Sequence, residues 1–228
     1  MAKDFHSAIV VAGYDSHIRK LIPGYELVHQ HINAILSSHL PETARILIVG
    51  CGTGYELQYL LQQHPQWQFT AIDPSLNMLQ QAEKNIQSVT GYERVRFIQA
   101  DTHQFAQQAK LENLQFDAAL AILVAHFVPV AEKPLFFQDI YQTLKPAAIL
   151  LSYDLMQQTE NIELRWMQNL ALDCGLTAIQ VEKMLARMAE DFHLITADTQ
   201  AALLAQVGFR QCKTYCQLMN YYGFFAQK

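Results

Sequence analysis

The chain has 228 residues, 51% of them hydrophobic, enough to bury a full core as one domain or as one domain with a cap. Its 16 lysines and arginines against 21 acids give a net charge of −5 with no polybasic stretch, so the electrostatic footprint of direct nucleic-acid binding is missing. The N-terminal Met-Ala-Lys-Asp-Phe-His-Ser has no apolar leader core, and the longest apolar run, 116–130, is broken by Asp117, His126 and Pro129; we expect a cytoplasmic chain with no membrane partner.

In chain order, Val28, Ile32, Ile35 and Leu36 stripe a first helix that ends before Pro41. A branched apolar strand at 45–49 then breaks into Gly50-Cys51-Gly52-Thr53-Gly54, followed by a helix over 55–63. A second strand, 67–72, ends in Asp73, nineteen residues after Gly54. Pro74 and Ser75 open a helix whose Leu79, Ala82 and Ile86 face inward, and a third strand, 94–99, opens into Ala100-Asp101-Thr102. Strand four is 116–122, a helix through Leu135, Phe136, Ile140 and Leu144 stops at Pro146, and strand five is 148–153. This alternation is the pattern of a parallel sheet with helical crossovers.

Two helical segments follow, 160–173 and 177–191, joined by Cys174-Gly175-Leu176-Thr177 with Gly175 as C-cap and Thr177 as N-cap. They are too long for a simple connection, so 154–193 reads as a helical insertion before the last core helix: a substrate cap, with a homodimer interface as its rival. A helix at 199–206 and two strands, 209–217 and 220–226, complete a seven-stranded, mostly parallel, doubly wound α/β sheet with an antiparallel edge. We expect one domain: N-terminal lid helices in 1–40, a ligand-binding core in 41–153, the insertion, and a closing segment in 194–228. Cysteines 51, 174, 212 and 216 show no metal spacing, and no metal is expected; Cys212 and Cys216, four apart on a strand, read as two small side chains on one face.

Glycines at a strand-to-helix turn let backbone approach a ligand, and an acid at the next strand tip can accept ribose hydroxyls. The dinucleotide fingerprint needs a further glycine three positions after the second; Tyr55 stands there, and no Lys-Ser or Lys-Thr suggests a P-loop. A nucleoside without a diphosphate fits better. From roughly 40 to 153 the chain resembles the class I S-adenosylmethionine (SAM)-dependent methyltransferases. The resemblance implies SAM as cofactor and S-adenosylhomocysteine as product. Gly50, Cys51, Gly52 and Gly54 would flank the methionine part, with a helix N-terminus favouring its carboxylate. Asp73 and Pro74 would take the ribose, and Asp101 and Thr102 the adenine edge. Met78 would pack on the adenine or be plain core. In the lid, Tyr14 and Tyr25 could cover the sulfonium and Arg19 could neutralise the carboxylate, although Arg19 reads equally as a solvated helix charge.

At the tip of strand four, Ala121 and Ile122 fall where many relatives carry a polar residue, which argues against the Asn-Pro-Pro-Tyr type of amine methylation. His126 follows, where small-molecule methyltransferases often place a histidine; it is the first candidate base, and Tyr153 with Asp154 at the tip of strand five the second. A small, partly apolar acceptor methylated on oxygen or carbon is therefore expected. Pro23-Gly24-Tyr25, the Cys-Gly-Leu-Thr link, Gly208-Phe209 and Asn220-Tyr221-Tyr222-Gly223-Phe224 also resemble, more loosely and over the whole chain, the carboxy-SAM synthases that prepare wobble-uridine modification. That reaction needs an added cation beside the transferred carbon. Between Arg187 and Arg210 there is none, and His193 or Leu194 stands in its place. A SAM-binding module without catalysis is the third reading, since Pro146-Ala147-Ala148 replaces the usual Pro-Gly-Gly.

Overall fold

The computed structural model describes residues 18, 19, 21, 22 and 24–228. Helix α1 (Tyr25–His39) precedes β1 (Arg45–Val49), α2 (Tyr55–Gln63), β2 (Gln68–Asp73), α3 (Leu76–Ile86), β3 (Val95–Gln99), α4 (Thr102–Leu111) and β4 (Phe116–Ile122). Two short 3-10 turns, Ala125–Phe127 and Val130–Glu132, lead into α5 (Lys133–Thr143) and β5 (Leu144–Leu155). Then come α6 (Asn161–Asp173), α7 (Ala178–Asp191), α8 (Ala197–Val207), β6 (Arg210–Leu218) and β7 (Tyr221–Gln227).

The strands form one seven-stranded sheet in the order β3-β2-β1-β4-β5-β7-β6. The first five pair in parallel and the last two close the edge antiparallel. Alternation along β1 sends Ile46 and Ile48 to one face and Leu47 and Val49 to the other. The first face packs under α1, α2 and α3 through Leu36, Leu57 and Ile86, and the second under α4, α5 and α8 through Phe105, Phe137 and Leu204. Each such buried side chain contributes roughly 1.5 to 3 kcal/mol. The central strand β4 is kept thin by Ala118, Ala119 and Ala121, all fully buried. Strand order reverses between β1 and β4, so a crevice opens outside their carboxyl ends, where such sheets bind ligands.

Helix boundaries follow local chemistry. Ser75 Oγ accepts the Met78 N–H at the start of α3, and Asp101 and Gln104 form a reciprocal capping box on α4. Thr177 and Gln180 do the same for α7, while Gly175, at φ +89°, ends α6 with its N–H on the Leu172 carbonyl and that of Leu176 on Ala171. The insertion leaves and rejoins the sheet at neighbouring points, since the Gln157 N–H donates to the Ile195 carbonyl at 2.9 Å. Among the described residues no helix is long and apolar enough to cross a membrane.

Three expectations need correcting. Leu144 does not end the helix but starts β5: it pairs with Phe116, and the ladder resumes at Ala118 with Ile149. The intervening bulge absorbs Pro146 and an Ala147 at φ +64°. Cys212 and Cys216 do not share a face. A bulge between Thr214 and Cys216 breaks the alternation of β6, so Cys212 packs against the α4, α5 and α8 layer and Cys216 against the opposite one. Arg94 lies outside β3, in a turn, and its guanidinium donates to the carbonyls of Leu61, His64 and Trp67 at 3.0, 2.8 and 2.6 Å.

Candidate functional site

A cleft of about 770 Å³ opens at the switch point, lined by Gly50, Gly52, Asp73, Pro74, Met78, Asp101 and Thr102 together with residues that follow β4. Gly50 has φ +63°, and a Cβ there would stand 2.6 Å from Val124 Cγ2, so the turn is closed to any side chain. Gly52, at φ +51°, is different: a Cβ would meet nothing within 4 Å, because it would project into the cleft. That opening is the cradle a ligand backbone needs. Gly54 does not line the cleft; it precedes α2 and abuts Ala82 of α3.

Asp73 holds this turn. Its Oδ2 accepts the Gly52 N–H at 3.0 Å and its Oδ1 accepts the Ser75 N–H at 2.9 Å. The carboxylate, 7% exposed, is therefore fixed at the cleft wall while fastening the glycine loop to the start of α3. Met78 is buried with its side chain on the cleft lining, so its core and ligand-facing readings coincide. Asp101 Oδ1 caps α4 at the Gln104 N–H, 2.8 Å, at the same wall.

Sequence reasoning missed the far end of the cleft. There His103 Nδ1 and Asp139 Oδ2 stand 3.1 Å apart, and Glu132, Leu135 and Phe136 add to the wall. Burial pushes the Asp139 carboxyl above its ordinary value, and His103 partly offsets that. Only the stripe of α5 and the start of α4 hinted at this pairing, thirty-six residues apart. From the insertion come Glu190, Asp191 and His193. Asp73, Asp101, Glu132, Asp139, Glu190 and Asp191 thus share a lining that contains no lysine or arginine among the described residues.

Other candidates lie elsewhere. Cys51 points into the core with its thiol pushed well up by burial, and Ala121 is fully enclosed between β1 and β5. Arg19 pairs with Glu26 at 2.9 Å and rests over the Tyr55 ring, not on the cleft lining. Tyr25 is buried in α1 against His29 and Tyr55, so it is no lid. Tyr14 lies outside the described residues. Tyr153 is also misplaced for catalysis: alternation along β5 turns it into the core, 1% exposed, beside Tyr221, and burial pushes its phenol far up.

The next residue of β5 is the informative one. Asp154, 1% exposed, reaches His126: its Oδ1 lies 2.9 Å from the ring Nδ1 and accepts the backbone N–H of the same residue at 3.3 Å. Lys133, whose ammonium pKa is lowered by burial and partly restored by Asp154, donates to the Ala125 carbonyl and holds that turn. The His126 carbonyl accepts the His193 N–H at 2.8 Å, tying the insertion to the same point. His126 lines a second cavity of about 210 Å³, mostly apolar, which includes Met184, Met188 and Phe192 and shares Leu123 and Phe127 with the cleft.

Residues 46–147 match the family model described as a methyltransferase domain. The carboxy-S-adenosyl-L-methionine synthase of Hydrogenovibrio crunogenus is 23% identical over 96% of this chain and 87% of its own length. Among solved structures, the 1,6-didemethyltoxoflavin N1-methyltransferase of Burkholderia thailandensis, crystallised with its heterocycle and S-adenosylhomocysteine, superposes with a TM-score of 0.62 at 18% identity, over 97% of this chain and 86% of that one. An O-methyltransferase family protein from the same organism gives 0.63 at 17% over 88% of this chain, which spans only 56% of that longer protein. Residues 46–147 thus match a methyltransferase domain, and the solved structures share the fold of this chain. The acids of the cleft complement the sulfonium and ammonium of SAM and Gly52 leaves room for the chain that carries them, while the N-terminus of α2 after the glycine turn is what is left for its carboxylate.

Proposed function

We propose that the chain transfers a methyl group to an oxygen or an acidic carbon of a small, partly apolar molecule, with His126 as the base and Asp154 as the residue that positions it. The observation that carries this reading is the 2.9 Å contact between His126 Nδ1 and Asp154 Oδ1, buried where a second cavity adjoins the cofactor cleft. Gly52, Asp73, Met78 and Asp101 would hold the cofactor, which supplies an electrophilic methyl whose bond to sulfur breaks with the electron pair left on sulfur. An ionised Asp154 only accepts, so Nδ1 carries the ring proton and Nε2 keeps its lone pair. The acceptor proton then passes to Nε2, and Asp154 stabilises the imidazolium that results. Leu123 and Phe127 between the two cavities keep water from the reacting atoms.

The test is His126→Gln with a small-acceptor panel: turnover should fall while SAM affinity stays, and unchanged turnover from pH 6 to 9 would remove the histidine from the reaction. A second reading, carboxy-SAM synthesis, is favoured by the near-complete alignment with that relative. The six carboxylates of the cleft lining disfavour an added carboxylate on that side, so this reading would need Lys183 or Arg187 of the smaller cavity to take it. Mass spectrometry of nucleosides carried through purification separates the two. Self-association through the insertion and the absence of a nucleic-acid partner stand as expectations, which light scattering and a filter-binding assay would read.

A further inference from the structure

The two cavities that share Leu123 and Phe127 differ in charge. Among the described residues the cleft is lined by six acids and no lysine or arginine, and the smaller cavity by Lys183 and Arg187 and no acid. Both cations sit on α7, four residues apart and so on one face of the helix, which also carries Gln180 into the lining. Met184 and Met188, from the adjacent stripe of the same helix, supply apolar surface below them. Lys183 is exposed and Arg187 half-buried, while Met188 is buried, so the cations form the rim and the thioethers the floor. Arg187 has only a loose contact with Asp191, 3.7 Å from Nε to Oδ2, leaving its planar fork able to take a second carboxylate.

We infer that the acceptor is an amphipathic carboxylic acid of about one ring, its carboxylate taken at the rim by Arg187 and Lys183 and its apolar body lying against Met184, Met188 and Phe192. This inference rests on the reading of the smaller cavity as the acceptor site. At about 210 Å³ the cavity lies below the roughly 300 to 1,000 Å³ of drug-sized pockets, which favours a small molecule. A carboxylate suits the fork of one arginine beside a single ammonium, and at that rim it is kept from the acid-lined wall that would repel it. The reacting hydroxyl or carbon would then lie toward His126, which lines the same cavity.

The experiment uses the full chain saturated with S-adenosylhomocysteine and three matched pairs of probes: benzoate and benzamide, phenylacetate and phenylacetamide, 4-hydroxyphenylacetate and its amide. Ligand-observed NMR titration should give at least one acid binding about tenfold or more tightly than its amide, the range of a charge-assisted hydrogen bond. In the double variant Lys183→Gln with Arg187→Gln the preference should vanish, while amide binding and the melting temperature hold. Equal binding of acid and amide, a preference that survives in the double variant, or no binding by any acid overturns the inference. Because this readout needs no turnover, it separates from the transfer mechanism: selective acid binding without methylation of any acid leaves the recognition standing and sinks the acceptor reading, and methylation confined to neutral molecules does the reverse.

Discussion

Replacing Asp73 with asparagine separates the two tasks of this carboxylate. In the wild-type chain its oxygens accept the N–H groups of Gly52 and Ser75 at 3.0 and 2.9 Å, so neither position tolerates a donor. An asparagine keeps one acceptor and turns its amide NH2 against a backbone N–H. One hydrogen bond to a charged group is lost, worth roughly 1.5 to 3 kcal/mol, and the glycine loop loosens at one end. In a chain of this length each kcal/mol shifts the melting temperature by about 2 to 4 °C, so the apo protein should melt roughly 3 to 12 °C lower. If Asp73 takes the ribose as proposed, that contact weakens in addition, and SAM affinity should fall about tenfold to more than a hundredfold. Calorimetry with SAM and S-adenosylhomocysteine, alongside a melting curve, reads both numbers. A variant that melts lower yet binds SAM within a factor of about two would show that Asp73 only fastens the loop and does not touch the ligand.

Removing the His126 ring by His126→Ala leaves the buried Asp154 carboxylate without its ring hydrogen bond, a cost of roughly 1.5 to 3 kcal/mol, and the melting temperature should drop accordingly; the double change with Asp154→Ala should regain part of it. If the single variant melts like the parent, the ring does not hold the Asp154 carboxylate as described above. Among the glycines, Gly50→Ala should destabilise clearly more than Gly52→Ala, since its Cβ would stand 2.6 Å from the Val124 side chain, whereas Gly52→Ala should fold with a loss of about 1 to 2 kcal/mol from its left-handed backbone and fail to bind SAM. Equal behaviour of the two in a SAM titration contradicts the cradle. For Asp139, burial raises the folded pKa above the unfolded value, so the folded chain binds its proton more tightly and stability is lost as pH rises from the unfolded value through the raised one. His103→Gln removes the offset and should deepen that loss in melts between pH 3.5 and 7; a shallower profile would refute the assignment.

The cleft wall was legible because its requirements fall on the backbone. Glycines 50 and 52 answer to steric rules that leave a mark in sequence, and Asp73 and Asp101 sit at strand ends whose positions follow from apolar runs. The insertion was legible for the same reason, its caps at Gly175 and Thr177 being local chemistry. What escaped was set by contacts between distant segments. Tyr153 and Asp154 are neighbours in sequence, yet alternation along β5 buries one in the core and delivers the other to His126, twenty-eight residues away. The bulges in β5 and β6 moved Leu144 into a strand and parted Cys212 from Cys216, and no residue type announces a bulge. Arg19 and Tyr25 were aimed at the cofactor by analogy, whereas Glu26, Tyr55 and His29 hold them instead.

Leu123 brings the two cavities into one argument. It follows β4 with φ +61°, donates its N–H to the Tyr153 carbonyl at 2.6 Å, and lines both the cleft and the smaller cavity. A leucine in the left-handed region costs about 1 to 2 kcal/mol that glycine does not. Leu123→Gly relieves that strain, loses about 1 kcal/mol from a half-buried side chain, and adds roughly 0.5 to 1 kcal/mol of glycine entropy. These terms nearly cancel, so the melting temperature should stay within a few degrees of the parent, unlike the roughly 2 to 5 kcal/mol expected when a core leucine is truncated. Transfer should nevertheless suffer, because the wall that aligns the acceptor against the cofactor and excludes water is gone. SAM affinity should change little, since Gly52, Asp73 and Asp101 are untouched. A large fall in melting temperature would show that Leu123 is ordinary core, and undiminished turnover would show that the two cavities do not meet at this side chain.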